Sequence, residues 1–201
     1  MTLGRSGAEG ELRIGVTGHR VLAELPRVAA GVEAALDRIE ATFPGRAPVV
    51  VSALAEGADR LVAEAVLRRS GARLRVVLPM ARSEYLADFA TPQSRGAFLA
   101  LLARADSVAV LPARATRDEA YAAANDRMLD EVDVLVAIWD GQGAQGQGGT
   151  AEVVARARAR RLPLAWVHAG NRAPGTMVAT SLGAEQGSVT FENVSQRRRT
   201  S

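Results

Sequence analysis

The sequence predicts an α/β fold, a Rossmann-like three-layer α/β/α arrangement around a mainly parallel sheet. Three observations predict it. Short apolar runs alternate with amphipathic stretches of helical period along most of the chain. The runs are apolar on both faces, as strands covered by helices on two sides must be. Glycines mark three of the junctions that follow these runs, where a parallel sheet turns from strand into helix.

The first strand is expected over 12–17, where Leu12, Ile14 and Val16 flank Gly15. A helical pattern follows over 22–39 and ends near Phe43-Pro44-Gly45, residues that cannot continue a helix. The second strand, 48–54, carries the β-branched run Val49-Val50-Val51. Residues 59–69 read as a helix stopped by Ser70-Gly71, and a third strand over 74–78 is cut by Pro79. Glu84-Tyr85 with Asp88-Phe89 suggests a short helix at the sheet edge, whose aromatics either pack into the core or lid a site. Helices over 94–104, 118–131 and 150–161 then interleave with strands over 107–111, 134–139 and 164–167. From Asn171 the periodicity fails as Gly, Ser, Thr and Gln accumulate, leaving one strand-like run at 188–191. The expected organisation is a mobile N-terminus over 1–10, one ligand-binding domain over 11–170, and a polar, partly disordered C-terminal extension over 171–201.

Composition narrows the chemistry. The 201 residues, 48% hydrophobic and 23% charged, suit one globular domain with a full core. Cysteine is absent, which excludes disulfides, thiolate metal sites and cysteine nucleophiles. His19 and His168 are the only histidines, too few for a histidine-rich zinc centre, so no metal or other cofactor is expected. No apolar run approaches the ~18 residues of a membrane span and no signal-peptide core is visible, so the expectation is a cytoplasmic protein without a membrane partner. All 25 basic residues are arginines, set against 22 acidic ones for a net charge of +3. The high isoelectric point, about 10.4, follows from the lack of lysine and not from a clustered basic face. With aromatics at only 4%, the interleaved platforms of nucleic-acid binders are missing too. Arg156, Arg158, Arg160 and Arg161 read as a solvated helix face near the C-terminal dipole.

In an open parallel sheet, ligands lie beyond the carboxyl ends of the strands. The first glycine-marked junction is Gly15-Val16-Thr17-Gly18-His19-Arg20. Gly18 would let the backbone approach a phosphate, with Thr17, His19 and Arg20 as donors; the alternative is a tight turn with a satisfied histidine. The spacing lacks the third glycine of a dinucleotide fingerprint. The second junction runs from Ser52 to Glu56-Gly57-Ala58-Asp59-Arg60. Gly57 suits a close turn and Asp59 a helix cap. Glu56 and Arg60 would contact a ribose hydroxyl and a phosphate, or else Arg60 lies on the surface. The third is Trp139-Asp140-Gly141, then Gly143, Gly146 and Gly148-Gly149-Thr150-Ala151-Glu152. Gly148, Gly149 and Thr150 would present unpaired amides and a hydroxyl at a helix N-terminus, an anion site. Trp139 would stack on a base or cap the core.

Together, Thr17-Gly18-His19-Arg20, Glu56-Gly57-Ala58-Asp59-Arg60 and Gly148-Gly149-Thr150 resemble the nucleotide-contacting loops of the SLOG superfamily, Rossmann-like domains related to the Lonely Guy phosphoribohydrolases. The stretch from Asp133-Val134-Leu135-Val136-Ala137 to Gly149-Thr150-Ala151-Glu152 is also similar to nucleoside deoxyribosyltransferases. The resemblance covers about 12–167 and implies a nucleotide or nucleotide-derived ligand, bound by a homo-oligomer. The hydrolytic and transferase relatives place a glutamate three residues after the threonine. Here Val153 stands at that position and Glu152 comes one residue early, turned ~100° around the helix. Where the hydrolases place an arginine on the preceding helix, this chain has Ala124, with Asn125 and Arg127 nearby. The expectation is therefore a binding or sensor domain that does not act on nucleic acid. An N-glycosidic hydrolase or transferase is the alternative, with Glu152 or Glu56 stabilising the sugar cation and Asp140 as base.

Overall fold

A computed structural model describes residues 10–143, 149–172, 176 and 178–194. Its strands are β1 (Glu11–Gly18), β2 (Ala47–Ser52), β3 (Arg73–Leu78), β4 (Ser107–Val110), β5 (Val134–Trp139), β6 (Leu164–His168) and β7 (Val189–Glu192). They form one sheet in the order β4-β3-β2-β1-β5-β6-β7. All neighbours are parallel except β6 and β7, which run antiparallel. The helices are α1 (Leu25–Thr42), α2 (Ala58–Leu67), α3 (Arg82–Tyr85), α4 (Pro92–Leu102), α5 (Arg117–Glu131) and α6 (Thr150–Ala159). The fold is Rossmann-like and three-layered, as the alternating pattern predicts, and no described helix is long and apolar enough to cross a membrane.

Two apolar clusters fill the layers. On one face Val28, Val32 and Leu36 of α1 and Val62 and Val66 of α2 meet Ile14, Val16 and Val50 of the sheet. Tyr85, Phe89 and Phe98 extend this layer as an edge-on aromatic trio, with Tyr85 centred 5.2 Å from Phe89 and 5.7 Å from Phe98. On the other face Met128 and Leu129 of α5 and Val153, Val154 and Ala157 of α6 pack on Leu135, Ala137 and Trp139. Trp139 is 6% exposed and packs within this cluster.

Boundaries shift where single residues dictate backbone geometry. Helix α1 starts at Leu25, not 22, because Pro26 is tolerated only in a first turn. Leu22 and Ala23 remain in a buried connection, held by the Ala23 amide on Gly170 O. Strand β2 ends at Ser52, not 54: Ser52 Oγ accepts from the Leu54 amide at 2.8 Å, and Leu54 takes a φ of 59°. Helix α4 begins at Pro92 behind Thr91, whose hydroxyl accepts from Ser94 N, and α5 opens on a full capping box of Thr116 and Glu119.

The described part of the C-terminal region packs against the domain. Gln186 is 2% exposed, donating to Ala23 O at 3.1 Å and accepting from Gly170 N at 2.8 Å, while β7 extends the sheet. Residues 1–9, 144–148, 173–175, 177 and 195–201 lie outside the described residues, so the mobility expected for 1–10 and for the last residues falls almost wholly there.

Candidate functional site

Consecutive connections run to opposite sides of the sheet from β1 and from β5, so a crevice opens between these neighbouring strands at their carboxyl ends. The loop after β1 is pinned there on both sides. His19 N donates to Ile138 O of β5 at 2.9 Å, and His19 O accepts from Ala58 N, the first residue of α2, at 3.0 Å. A Cβ on Gly18 would lie 2.3 Å from Ile138 O and 2.5 Å from Ala58 Cβ. Glycine is needed at 18 because a strand end, a loop and a helix start meet at backbone distance.

Over this loop lies a cleft of about 340 Å³. Thr17, Gly18, His19 and Arg20 line it from β1 and its loop, Ser52 and Asp59 from the β2 side, and Gly149 and Thr150 from the start of α6. Trp139 and Asp140 line a neighbouring recess that shares His19, Gly149 and Thr150. The structure thus brings eight of the expected ligand residues into one cleft and two into its annexe. Glu56, Gly57 and Arg60 line neither. Arg60 instead clamps the loop to α4: Nε donates to Leu54 O at 3.1 Å, Nη1 to Ser94 O and Ser94 Oγ at 3.0 Å each, and the guanidinium lies 4.5 Å over the Phe89 ring. Ser94 Oγ in turn donates to Glu56. Gly57 takes a φ of 73° against the backbone of His19 and Arg20. Gly148, together with Gly146, lies outside the described residues.

Helix α6 begins without a side-chain cap among the described residues. Gly149 O accepts from Glu152 N at 3.1 Å and Val153 N at 3.2 Å, leaving the Thr150 and Ala151 amides without a backbone partner among the described residues. These amides and the helix dipole make the end of the helix attractive to an anion. Arg20 adds a full positive charge. Its guanidinium lies 5.4 Å over the Tyr121 ring, and it makes no ion pair with a carboxylate among the described residues. Tyr121 is held in turn by a hydrogen bond to Asp88, which also pairs with Arg117.

The titratable groups are set by burial. Asp59 is 9% exposed; its Oδ2 accepts from Ser52 Oγ at 2.8 Å and from Ala55 N at 3.3 Å. Burial pushes this carboxyl from 3.8 up to about 6, against the pull of those hydrogen bonds. Burial also lowers His19, and outweighs the opposing effect of Asp140. His19 Nε2 faces the Asp140 amide at 3.2 Å; it must accept there, so the geometry assigns a neutral ring with its proton on Nδ1. His19 serves the cleft as a neutral donor or acceptor, not as a cation.

The candidate catalytic carboxylates do not converge. Glu152 pairs with Arg156 one turn along α6, Glu56 faces Ser94, and Asp140 faces His19 in the annexe at 3.4 Å. Asp59 is the carboxylate that lines the main cleft. Sequence reading missed Tyr121 and Asn125 of α5 as cleft residues. The available signal was the inward stripe 121, 124, 125 and 128, at spacings of three and four, which carries two polar side chains beside Ala124 and Met128. No group of His, Asp and Glu among the described residues is arranged to hold a metal. No protein-family model matches the chain, and no curated protein matches it.

Proposed function

We propose that this chain is a binding or sensor domain for a phosphate-bearing, nucleotide-type small molecule, of the kind the SLOG resemblance implies. One observation carries the reading: the uncapped start of α6 and the Arg20 guanidinium face one cleft at the switch point of a parallel sheet. Oriented amides and a charge-assisted donor are what a phosphate requires. A catalytic role is not preferred, because Glu152 and Glu56 are engaged with Arg156 and Ser94 away from the cleft. A nucleic-acid role is disfavoured by local neutralisation of the α6 arginines: Arg156 pairs with Asp126, Arg158 with Glu192 and Arg160 with Asp130.

Calorimetric titration with nucleoside 5′-monophosphates tests the proposal. Binding is expected in the wild type, and Arg20→Ala should weaken it roughly 10- to 100-fold, the worth of a hydrogen bond to a charged group, without changing the melting temperature by more than ~2 °C. Unchanged affinity in the folded variant would remove Arg20 from the site. Chromatography of the same mixtures is expected to find no released base; steady release would favour the glycosidic alternative. The homo-oligomer belongs to the same proposal and is measured by sedimentation.

A further inference from the structure

Tyr85 is an anomaly in the aromatic trio. It is 1% exposed and its ring packs edge-on against Phe89 and Phe98, a role that phenylalanine fills equally well. Yet its hydroxyl has no hydrogen-bond partner among the described residues and is not one of the enclosed unpaired atoms, which are Arg60 Nη2 and Trp139 Nε1, so it opens on the cleft. The residue lines the cleft, and the charges acting on its phenol are those of Asp59, Arg20, Tyr121 and Asp88. Thr17 repeats the pattern: it is 7% exposed, lines the same cleft, and its hydroxyl also lacks a partner among the described residues. Two residues, each more than nine-tenths buried, therefore present to the cleft hydroxyls that have no partner among the described residues.

The sheet separates Tyr85 from the anion end, with Thr17 on the strand between. Ser52 and Asp59 follow β2 and Tyr85 follows β3, whereas Gly149 and Thr150 follow β5, with β1 between the two groups. From β2 to β5 is two strand spacings, about 10 Å. A lone phosphate cannot reach across. On the far side the carboxyl of Asp59 suits a hydroxyl or amine donor, while Arg20, in the loop after β1 between the two groups, acts on both Asp59 and Tyr85.

Building on the anion reading, we propose that Tyr85 is a specificity-determining residue. With Asp59 it forms an end of the cleft that selects an uncharged hydrogen-bonding group of the ligand, about two strand spacings from the start of α6, with Thr17 of β1 between the two. The ligand class is a phosphomonoester whose other end carries sugar hydroxyls or a polar base edge. Inorganic phosphate, which cannot span both ends, binds less tightly. Tyr85 here supplies one hydrogen bond that a phenylalanine cannot.

The test compares wild type and Tyr85→Phe with two kinds of probe, inorganic phosphate and the four common nucleoside 5′-monophosphates, by calorimetry. The expected result is that at least one nucleotide binds the wild type more tightly than inorganic phosphate does. Tyr85→Phe should weaken that nucleotide by roughly 3- to 10-fold and leave inorganic phosphate unchanged. The melting temperature should hold, since the hydroxyl has no partner among the described residues to lose. A fall in melting temperature would show that the hydroxyl has a structural partner and would overturn the proposal. So would equal nucleotide affinity in both proteins, while the anion reading stands if Arg20→Ala still weakens that nucleotide. Failure of every probe to bind the wild type overturns both.

Discussion

Gly57→Ala is expected to cost about 4 kcal/mol and to dislodge the loop after β1. Two effects add. Gly57 has φ 73° and ψ −115°, a region open to glycine and strained for any residue with a Cβ, at ~1–3 kcal/mol. The new methyl would also lie 2.3 Å from His19 O and 2.5 Å from Arg20 O. That is a clash with backbone, which cannot rotate away, so overpacking adds another ~1–3 kcal/mol. The displaced atoms include His19 O, which accepts from Ala58 N, so loop geometry and stability should fail together. For a domain of this size the melting temperature should fall by roughly 8–16 °C. Thermal unfolding followed by circular dichroism measures it. A melting temperature within ~2 °C of wild type would show that the two loops are not in backbone contact.

Asp59→Asn should stabilise the protein above pH 6 and flatten its dependence on pH. The folded-state carboxyl titrates at about 6 against 3.8 ordinarily, so the native state binds this proton more tightly than the unfolded chain does. The stabilising contribution is therefore complete below pH 3.8 and is lost as pH rises through about 6. The difference corresponds to about 3 kcal/mol. Asparagine keeps an oxygen to accept from Ser52 and Ala55 but carries no charge to bury. The gain of the variant over wild type should thus be near zero at pH 4 and approach ~3 kcal/mol at pH 8. Urea unfolding of both proteins across this range provides the comparison, and the difference between them cancels the titration of every other group. Parallel profiles would show that Asp59 is not buried as a carboxylate.

The same residue shows how far a linear reading reaches. Asp59 was legible as a residue near a helix start, since it sits at the second position of α2. Its side chain, however, turns back to Ser52 and the cleft. Arg60 and Glu56 drew attention because they flank a glycine turn, yet the contacts that fix them come from Ser94 and Phe89, more than 25 positions along the chain. Tyr85 was legible as a core aromatic, which it is. That its hydroxyl also borders the cleft depends on where α3 lands relative to α2 and α5, and no local spacing encodes that.

What the sequence determined by itself was the alternation of strand and helix, the parallel sheet, and the three glycine-marked junctions. Each depends on interactions within a few residues: the period of apolar side chains and the helix-stopping power of Pro and Gly. Tertiary structure alone decided which side chains at those junctions share a cleft. Loop residues two apart point in directions set by backbone torsions such as those of Leu54 and Gly57, and these torsions are fixed by partners on β5, α2 and α4. The same packing placed Tyr85 and Tyr121 opposite Arg20 and left Glu152 facing along its own helix to Arg156. Secondary structure follows from short-range periodicity, whereas the membership of a site is a property of long-range contacts, whose geometry exists only once the chain has closed on itself.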